Sequence, residues 1–154
     1  MGDHTESMQV DFDPAEISFA EIATLFWQSH NPCATAYSLQ YRSAIWFHDQ
    51  SQREILEDAK TPLWEKYQRD IVTPVLPLGP FYLAEDYHQK YRLQGRKPLF
   101  KAFQQIYPKF DDFNASTSAA RINGFLSGNG KRLFLEESQQ YGIDEDLLNE
   151  FLRF

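Results

Sequence analysis

One cysteine, Cys33, stands in 154 residues. That rules out a disulfide within these residues, a multi-cysteine metal site and any relay between two thiols of the chain. Basic charge is also short: 15 Lys and Arg face 22 Asp and Glu, a formal charge of −7. With no basic cluster, this balance argues against nucleic acid, whose binding relies on cations that displace counterions from phosphates. No apolar run is long enough to span a bilayer, and the opening Gly2-Asp3-His4-Thr5-Glu6 has neither the basic end nor the apolar stretch of a secretion signal. A cytoplasmic protein without membrane partners is the expectation. Aromatic rings, by contrast, are plentiful: 13 Phe, 8 Tyr and 3 Trp make up 16% of the chain. Core filling is the ordinary use of such rings, and lining an apolar pocket the rarer one.

The hydrophobic pattern mixes periods. Ser7 to Phe12 alternates polar and apolar residues and predicts a half-buried strand, ended by Asp13-Pro14. Ser18 with Glu21 has capping-box spacing and opens a helix whose buried stripe is Phe19, Ile22, Ala23, Phe26 and Trp27; Asn31-Pro32 stops it. Gln40 to His48 reads as a mostly buried strand. Asp49 with Gln52 caps a second helix through Ile55, Leu56 and Ala59. Ile71 to Leu76 is a strand that Pro74 consigns to an edge or a bulge. Leu78-Gly79-Pro80 makes a turn, and Phe81 to Leu83 is extended. Residues 84–91 form a short helix and Pro98 to Phe103 another; from Ser116 the pattern is helical, closing on Leu147, Leu148 and Phe151. Strands mixed with helices, then a helical C-terminal third, predict an α/β or α+β domain.

Three segments, in order, resemble one family. Gly2-Asp3-His4-Thr5-Glu6 leads into the first predicted strand, and Asp13-Pro14, Ile17-Ser18-Phe19 and Leu25-Phe26-Trp27 follow, with His30 after them. Gln40-Tyr41-Arg42-Ser43-Ala44-Ile45 comes second. Phe81-Tyr82, then Ala84-Glu85-Asp86-Tyr87-His88-Gln89-Lys90-Tyr91, comes third. Their order and spacing resemble the A-type peptide methionine sulfoxide reductases over residues 2 to 92. Arg92-Leu93-Gln94 and Asn123 to Gly128 are similar to the extended tail of an animal-type branch.

The resemblance implies a two-layer sandwich around a mixed sheet, ferredoxin-like, with residues 1–92 as a truncated reductase core and 93–154 as a helical extension packed on the same domain. It places Met1 inside the family's domain, upstream of which belong a first strand, a Gly-Cys-Phe-Trp turn and a helix. It implies reduction of the S epimer of methionine sulfoxide in proteins, a repair of oxidative damage, with no bound cofactor and an external thiol reductant such as thioredoxin. A cysteine thiolate attacks the sulfoxide sulfur and becomes a sulfenic acid, which other thiols reduce.

On the same ground Glu6 is the acid at the sulfoxide oxygen, and Tyr41 a hydroxyl donor beside it; His4, Asp86 and His88 support them. Glu6 would need burial near aromatic rings to stay protonated near neutral pH. Read without the resemblance, Glu6 is a solvated charge, Tyr41 a strand aromatic, and His88 a helix histidine bonded to a neighbour. Three departures matter. The nucleophilic cysteine is not in these residues; the Phe and Trp that follow it are missing too; and Ala36 stands where many members carry an aspartate, five residues before the tyrosine. An inactive chain is therefore expected, or, as the alternative, a non-catalytic binding module derived from the reductase. Cys33 reads as a chance surface thiol, or as the partner of a cysteine outside this chain. Glu85 and His88 have a spacing that could put two metal ligands on one helix face, though no further ligand pair accompanies them. A sheet short of a strand would leave the chain poorly stable or prone to aggregate.

Overall fold

The computed structural model describes residues 4–137 together with Gln140, Asp144 and Asp146. The expected closing residues Leu147, Leu148 and Phe151, and the first residues of the opening motif, Gly2 and Asp3, lie outside the described residues. The chain divides into two compact units, Met1–Phe81 and Tyr82–Phe154. It is α+β: helices dominate, and a small parallel sheet of two strands belongs to the first unit.

In the first unit the expected strand at Ser7 to Phe12 is not a strand. Met8 is 81% and Val10 50% exposed, and among the described residues no ladder partner meets this segment. Alternation supplies an apolar face, but a strand also needs a neighbour for its amides and carbonyls. Asp13-Pro14 turns the chain as expected: the Asp13 carboxylate accepts from the Ala15 amide at 2.8 Å, and its carbonyl from Glu16 and Ile17. Helix α1, Phe19–Gln28, then begins on a complete capping box. The Ser18 hydroxyl oxygen accepts from the Glu21 amide, while the Glu21 carboxylate accepts from the Ser18 amide at 2.8 Å. Its stripe faces inward, with Ala23 and Trp27 buried and Phe19, Ile22 and Phe26 half-buried.

Strand β1, Ile45–Phe47, pairs in parallel with β2, Val75–Pro77, in the register Ile45 to Val75 and Phe47 to Pro77. Both are much shorter than the sequence suggested. Pro74 and Pro77 have no amide to give, so the ladder is confined to what their carbonyls and the neighbouring residues can supply. The Pro74 carbonyl accepts from Ile45, and Leu78 donates to the Phe47 carbonyl. Parallel strands need a long crossover, and here it is helical: α2, Gln50–Asp58, and α3, Lys60–Tyr67. Asp49 caps α2 by accepting from the Gln52 amide at 2.9 Å; the helix packs against α1 and the sheet, and its Leu56 is fully buried. Helix α3 was not foreseen. Its Pro62 falls in the first turn, where a missing amide costs nothing, and Gln68 in the left-handed region ends it.

The second unit carries the larger core. The expected helix over 84–91 is instead a single tight turn, Asp86–His88, followed by α4, Tyr91–Gln94. Lys90 breaks the run because its φ is 48°, a left-handed backbone that a continuing helix cannot hold. Burial also pushes the Lys90 ammonium below the usual lysine range, and its Nζ donates to Asn114 at 3.3 Å. Helix α5, Lys97–Ile106, is longer than the expected Pro98 to Phe103; α6, Phe110–Ala115, was not predicted. Helix α7, Thr117–Phe125, starts where Ser116 caps it by accepting from Ala119. After Gly128 and Gly130, both at positive φ, comes α8, Lys131–Glu137. Only glycine suits position 130, since a Cβ there would meet the Phe125 ring at 2.9 Å.

Leu93, Leu99, Phe103, Phe113, Ala119, Ile122 and Phe134 form the buried core, with edge-on rings at Phe103 and Phe113 and at Phe125 and Phe134. Phe103 and Phe113 are each no more than 1% exposed, and truncation of a buried phenylalanine typically costs about 3–5 kcal/mol.

Candidate functional site

The first motif and the second meet in the first unit. Residues 4–6 have no strand geometry of their own, yet they are tied to residues 39–42 by four hydrogen bonds. Glu6 donates its amide to the Gln40 carbonyl at 2.9 Å, and Gln40 Nε2 donates to Glu6 Oε1 at 2.8 Å. The Thr5 hydroxyl donates to the Leu39 carbonyl at 3.0 Å and accepts from Arg42 Nε at 3.1 Å. Polar residues separated by 34 positions are thus laced together, and Glu6 is set beside the residue that precedes Tyr41. Gln40 and Arg42 were read as parts of a motif; their work as the fasteners of Glu6 and Thr5 was not foreseen. Their place beside Tyr41 was the available signal.

Glu6 is exposed, so the burial expected around it is not supplied by the described residues. Among the described residues its carboxylate has one hydrogen-bond donor, the Gln40 amide group. Tyr41 is 53% exposed and packs its ring against that of Tyr37, centroids 5.6 Å apart. The Glu6 backbone and carboxylate are thus bonded to the residue next to Tyr41, and Glu6 and Tyr41 are both exposed; a carboxyl group and a phenol are the donor types that hold an oxygen on which negative charge develops. His4, close to Glu6 in sequence, is exposed.

Asp86 and His88 belong to the second unit. Asp86 opens the tight turn, and its carbonyl accepts from Gln94 Nε2 at 2.6 Å and from the Gln89 amide. His88 Nε2 lies 3.8 Å from the Glu85 carboxylate, and its ring leans on Tyr87 at 4.2 Å. Both side chains are exposed, so this contact is a surface pairing of small energetic weight. Among the described residues no group of three or more His, Cys, Asp and Glu side chains is placed to hold a metal ion.

Cys33 sits elsewhere in the first unit, half-buried in the turn after α1. Its amide donates to the Asn31 carboxamide at 3.1 Å, and the carbonyl of Pro32 accepts from Val72 and Thr73. His30 completes this knot: Nδ1 meets the Phe26 carbonyl and Nε2 the buried Thr73 hydroxyl, each at 3.0 Å. No hydrogen bond among the described residues joins Cys33 to Glu6 or Tyr41.

Comparison with known proteins agrees with the three motifs. A family model described as peptide methionine sulfoxide reductase matches residues 1–121. A peptide methionine sulfoxide reductase of Drosophila melanogaster is 38% identical over 146 residues, covering 93% of this chain and 58% of the relative. Another, from Rhodopirellula baltica, is 38% identical over 96 residues, covering 59% of this chain and 50% of its own length. One from Arabidopsis thaliana is 35% identical over 97 residues, covering 60% and 44%. The chain therefore spans about half the length of the curated relatives it matches. With the family model spanning both bonded motifs of the first unit and the third motif beyond them, this chain belongs to the peptide methionine sulfoxide reductase family.

Proposed function

We propose that this chain serves the reduction of methionine S-sulfoxide in proteins, as the part of the family's site that holds the sulfoxide oxygen. Glu6 is the acid and Tyr41 the hydroxyl donor. The observation that carries the reading is the hydrogen bonding of residues 5–6 to residues 39–42, which sets Glu6 next to the Tyr41 motif. When a thiolate attacks the sulfoxide sulfur, the sulfur–oxygen bond breaks, the thioether leaves and the oxygen passes to the attacking sulfur as a sulfenic acid. A carboxylic acid and a phenol at that oxygen neutralise the charge it gains on the way. His4, Asp86 and His88 keep the supporting roles that the resemblance implies. The two parallel strands β1 and β2 are, on this reading, part of a larger two-layer, ferredoxin-like sheet. Substrates are proteins carrying oxidised methionine; the reductant is a thioredoxin-like thiol.

By themselves these 154 residues bind the sulfoxide and do not turn it over, since their one thiol, Cys33, is held in the turn after α1 and has no bond to the Glu6–Tyr41 segment. Thiol-driven turnover of a methionine-S-sulfoxide peptide is measured for the chain and for Cys33→Ser, next to binding of the same peptide. Binding without turnover in both is the expected result. Turnover that vanishes in Cys33→Ser would place the nucleophile at Cys33 and overturn the reading, and so would failure of the chain to bind.

A further inference from the structure

Tyr37 is the most exposed large hydrophobic side chain among the described residues of the first unit, at 85%. It adds nothing to a core, and its position was not among the expected site residues. Its ring nonetheless has a defined neighbour, Tyr41, at 5.6 Å between centroids and with the planes inclined by 30°. That neighbour is 53% exposed, so the pair presents aromatic surface to solvent. The backbone that carries the pair is anchored. Leu39 and Gln40 accept from Thr5 and Glu6, Gln40 returns a bond to the Glu6 carboxylate, and Arg42 reaches Thr5. In the sequence between Tyr37 and Tyr41, Ser38 keeps a buried hydroxyl oxygen that has no hydrogen-bond partner among the described residues, a cost that a segment shaped only for stability would shed.

A methionine sulfoxide side chain has two unlike parts. Its oxygen needs donors; its S-methyl group and methylenes need apolar cover, and sulfur next to an aromatic ring is a favourable contact. Glu6 and the Tyr41 hydroxyl answer the first need. Ala36, beside Tyr37, brings no charge to the patch.

We propose that Tyr37 is a binding residue of the sulfoxide site. Its ring and that of Tyr41 form an aromatic wall for the S-methyl and methylene groups, while Glu6 and the Tyr41 hydroxyl hold the oxygen. This rests on the reading of Glu6 and Tyr41 given above. The ring carries the contact and the Tyr37 hydroxyl does not, so phenylalanine serves in its place.

The test titrates the whole chain with N-acetyl-methionine-(S)-sulfoxide N-methylamide, and with the reduced methionine amide, following amide shifts by NMR. Tyr37→Ser weakens binding of the sulfoxide by about five- to tenfold, the loss of one ring contact, while Tyr37→Phe stays within about twofold of the parent. Preference for sulfoxide over thioether persists in Tyr37→Ser and falls in Glu6→Gln and Tyr41→Phe. If Tyr37→Ser binds like the parent while Glu6→Gln and Tyr41→Phe lose binding, the wall is disproved and the oxygen site stands. If the parent does not bind, the oxygen site fails and the wall with it. Exposure of Tyr37 makes misfolding of the Ser variant a small concern, and an unchanged thermal midpoint checks it.

Discussion

Single side chains in this protein act through short, directed bonds. The hydroxyl and the amide of Ser18, both bonded to the Glu21 carboxylate, hold that group below the usual range, against a smaller opposing effect of desolvation. A carboxyl group whose folded value is depressed contributes stability that is present above its unfolded value of 4.5 and is lost as the pH falls through the folded value. The N-terminal turn of α1 is therefore expected to fray on acidification, read as smaller amide protection factors at Glu21 and Ile22 below about pH 4.5. Ser18→Ala removes the hydroxyl bond and should shrink that pH dependence. Thr73 offers a second residue-scale test. It is 3% exposed, and its hydroxyl lies 3.0 Å from His30 Nε2 and 3.4 Å from the Pro32 carbonyl. Thr73→Val leaves both groups without that partner and should lower stability by about 1–3 kcal/mol in urea denaturation.

Three helices here begin where the sequence says they begin. Ser18, Asp49 and Ser116 each accept from an amide three residues on, an interaction contained within one turn of chain. Asp49→Ala should accordingly cost about 0.5–2 kcal/mol, measured as a lower urea midpoint with an unchanged slope. The strands were much less legible. Residues 7–12 have the alternation of a strand and, among the described residues, no strand partner, while residues 40–48 contract to the three paired positions 45–47 and residues 71–76 give way to 75–77. Alternation reports which side of a segment would be apolar; it says nothing of whether another strand lies alongside. In residues 84–91 the left-handed Lys90 divides what the pattern made a single helix. Lysine seldom takes that conformation, so no residue type announced the break.

For the molecule as a whole, the two units differ in how much they hide. Among the described residues the second gathers seven buried apolar side chains, Phe103 and Phe113 included. In the first, the buried hydrophobic side chains are Ala23, Trp27 and Leu56 among the described residues, while Met8, Val10, Leu25, Tyr37 and Trp64 are at least half exposed. Among the described residues both strands of its sheet have an open edge, since two strands pair there. Unpaired edges beside exposed apolar side chains template association. These 154 residues are expected to self-associate with rising concentration, seen as an increasing mean mass in sedimentation equilibrium; a concentration-independent monomer with a single cooperative thermal transition would count against this. Among the described residues no helix is long and apolar enough to cross a membrane.

The sequence alone determined what is local or carried by motif: the capped helix starts, the apolar stripe of α1, the mixed α and β character, and the family, through three segments in order. It also singled out Glu6 and Tyr41 from their motifs. What only the tertiary structure decided is which distant segments meet. Thr5 and Glu6 bond to Leu39 and Gln40, His30 to Thr73 across 43 residues, and Tyr37 lies on Tyr41 in full view of solvent. The reason is physical. A cap or a stripe is settled within a few residues by geometry common to all helices, whereas a long-range contact must repay the entropy of closing its loop, and that depends on everything else packed nearby.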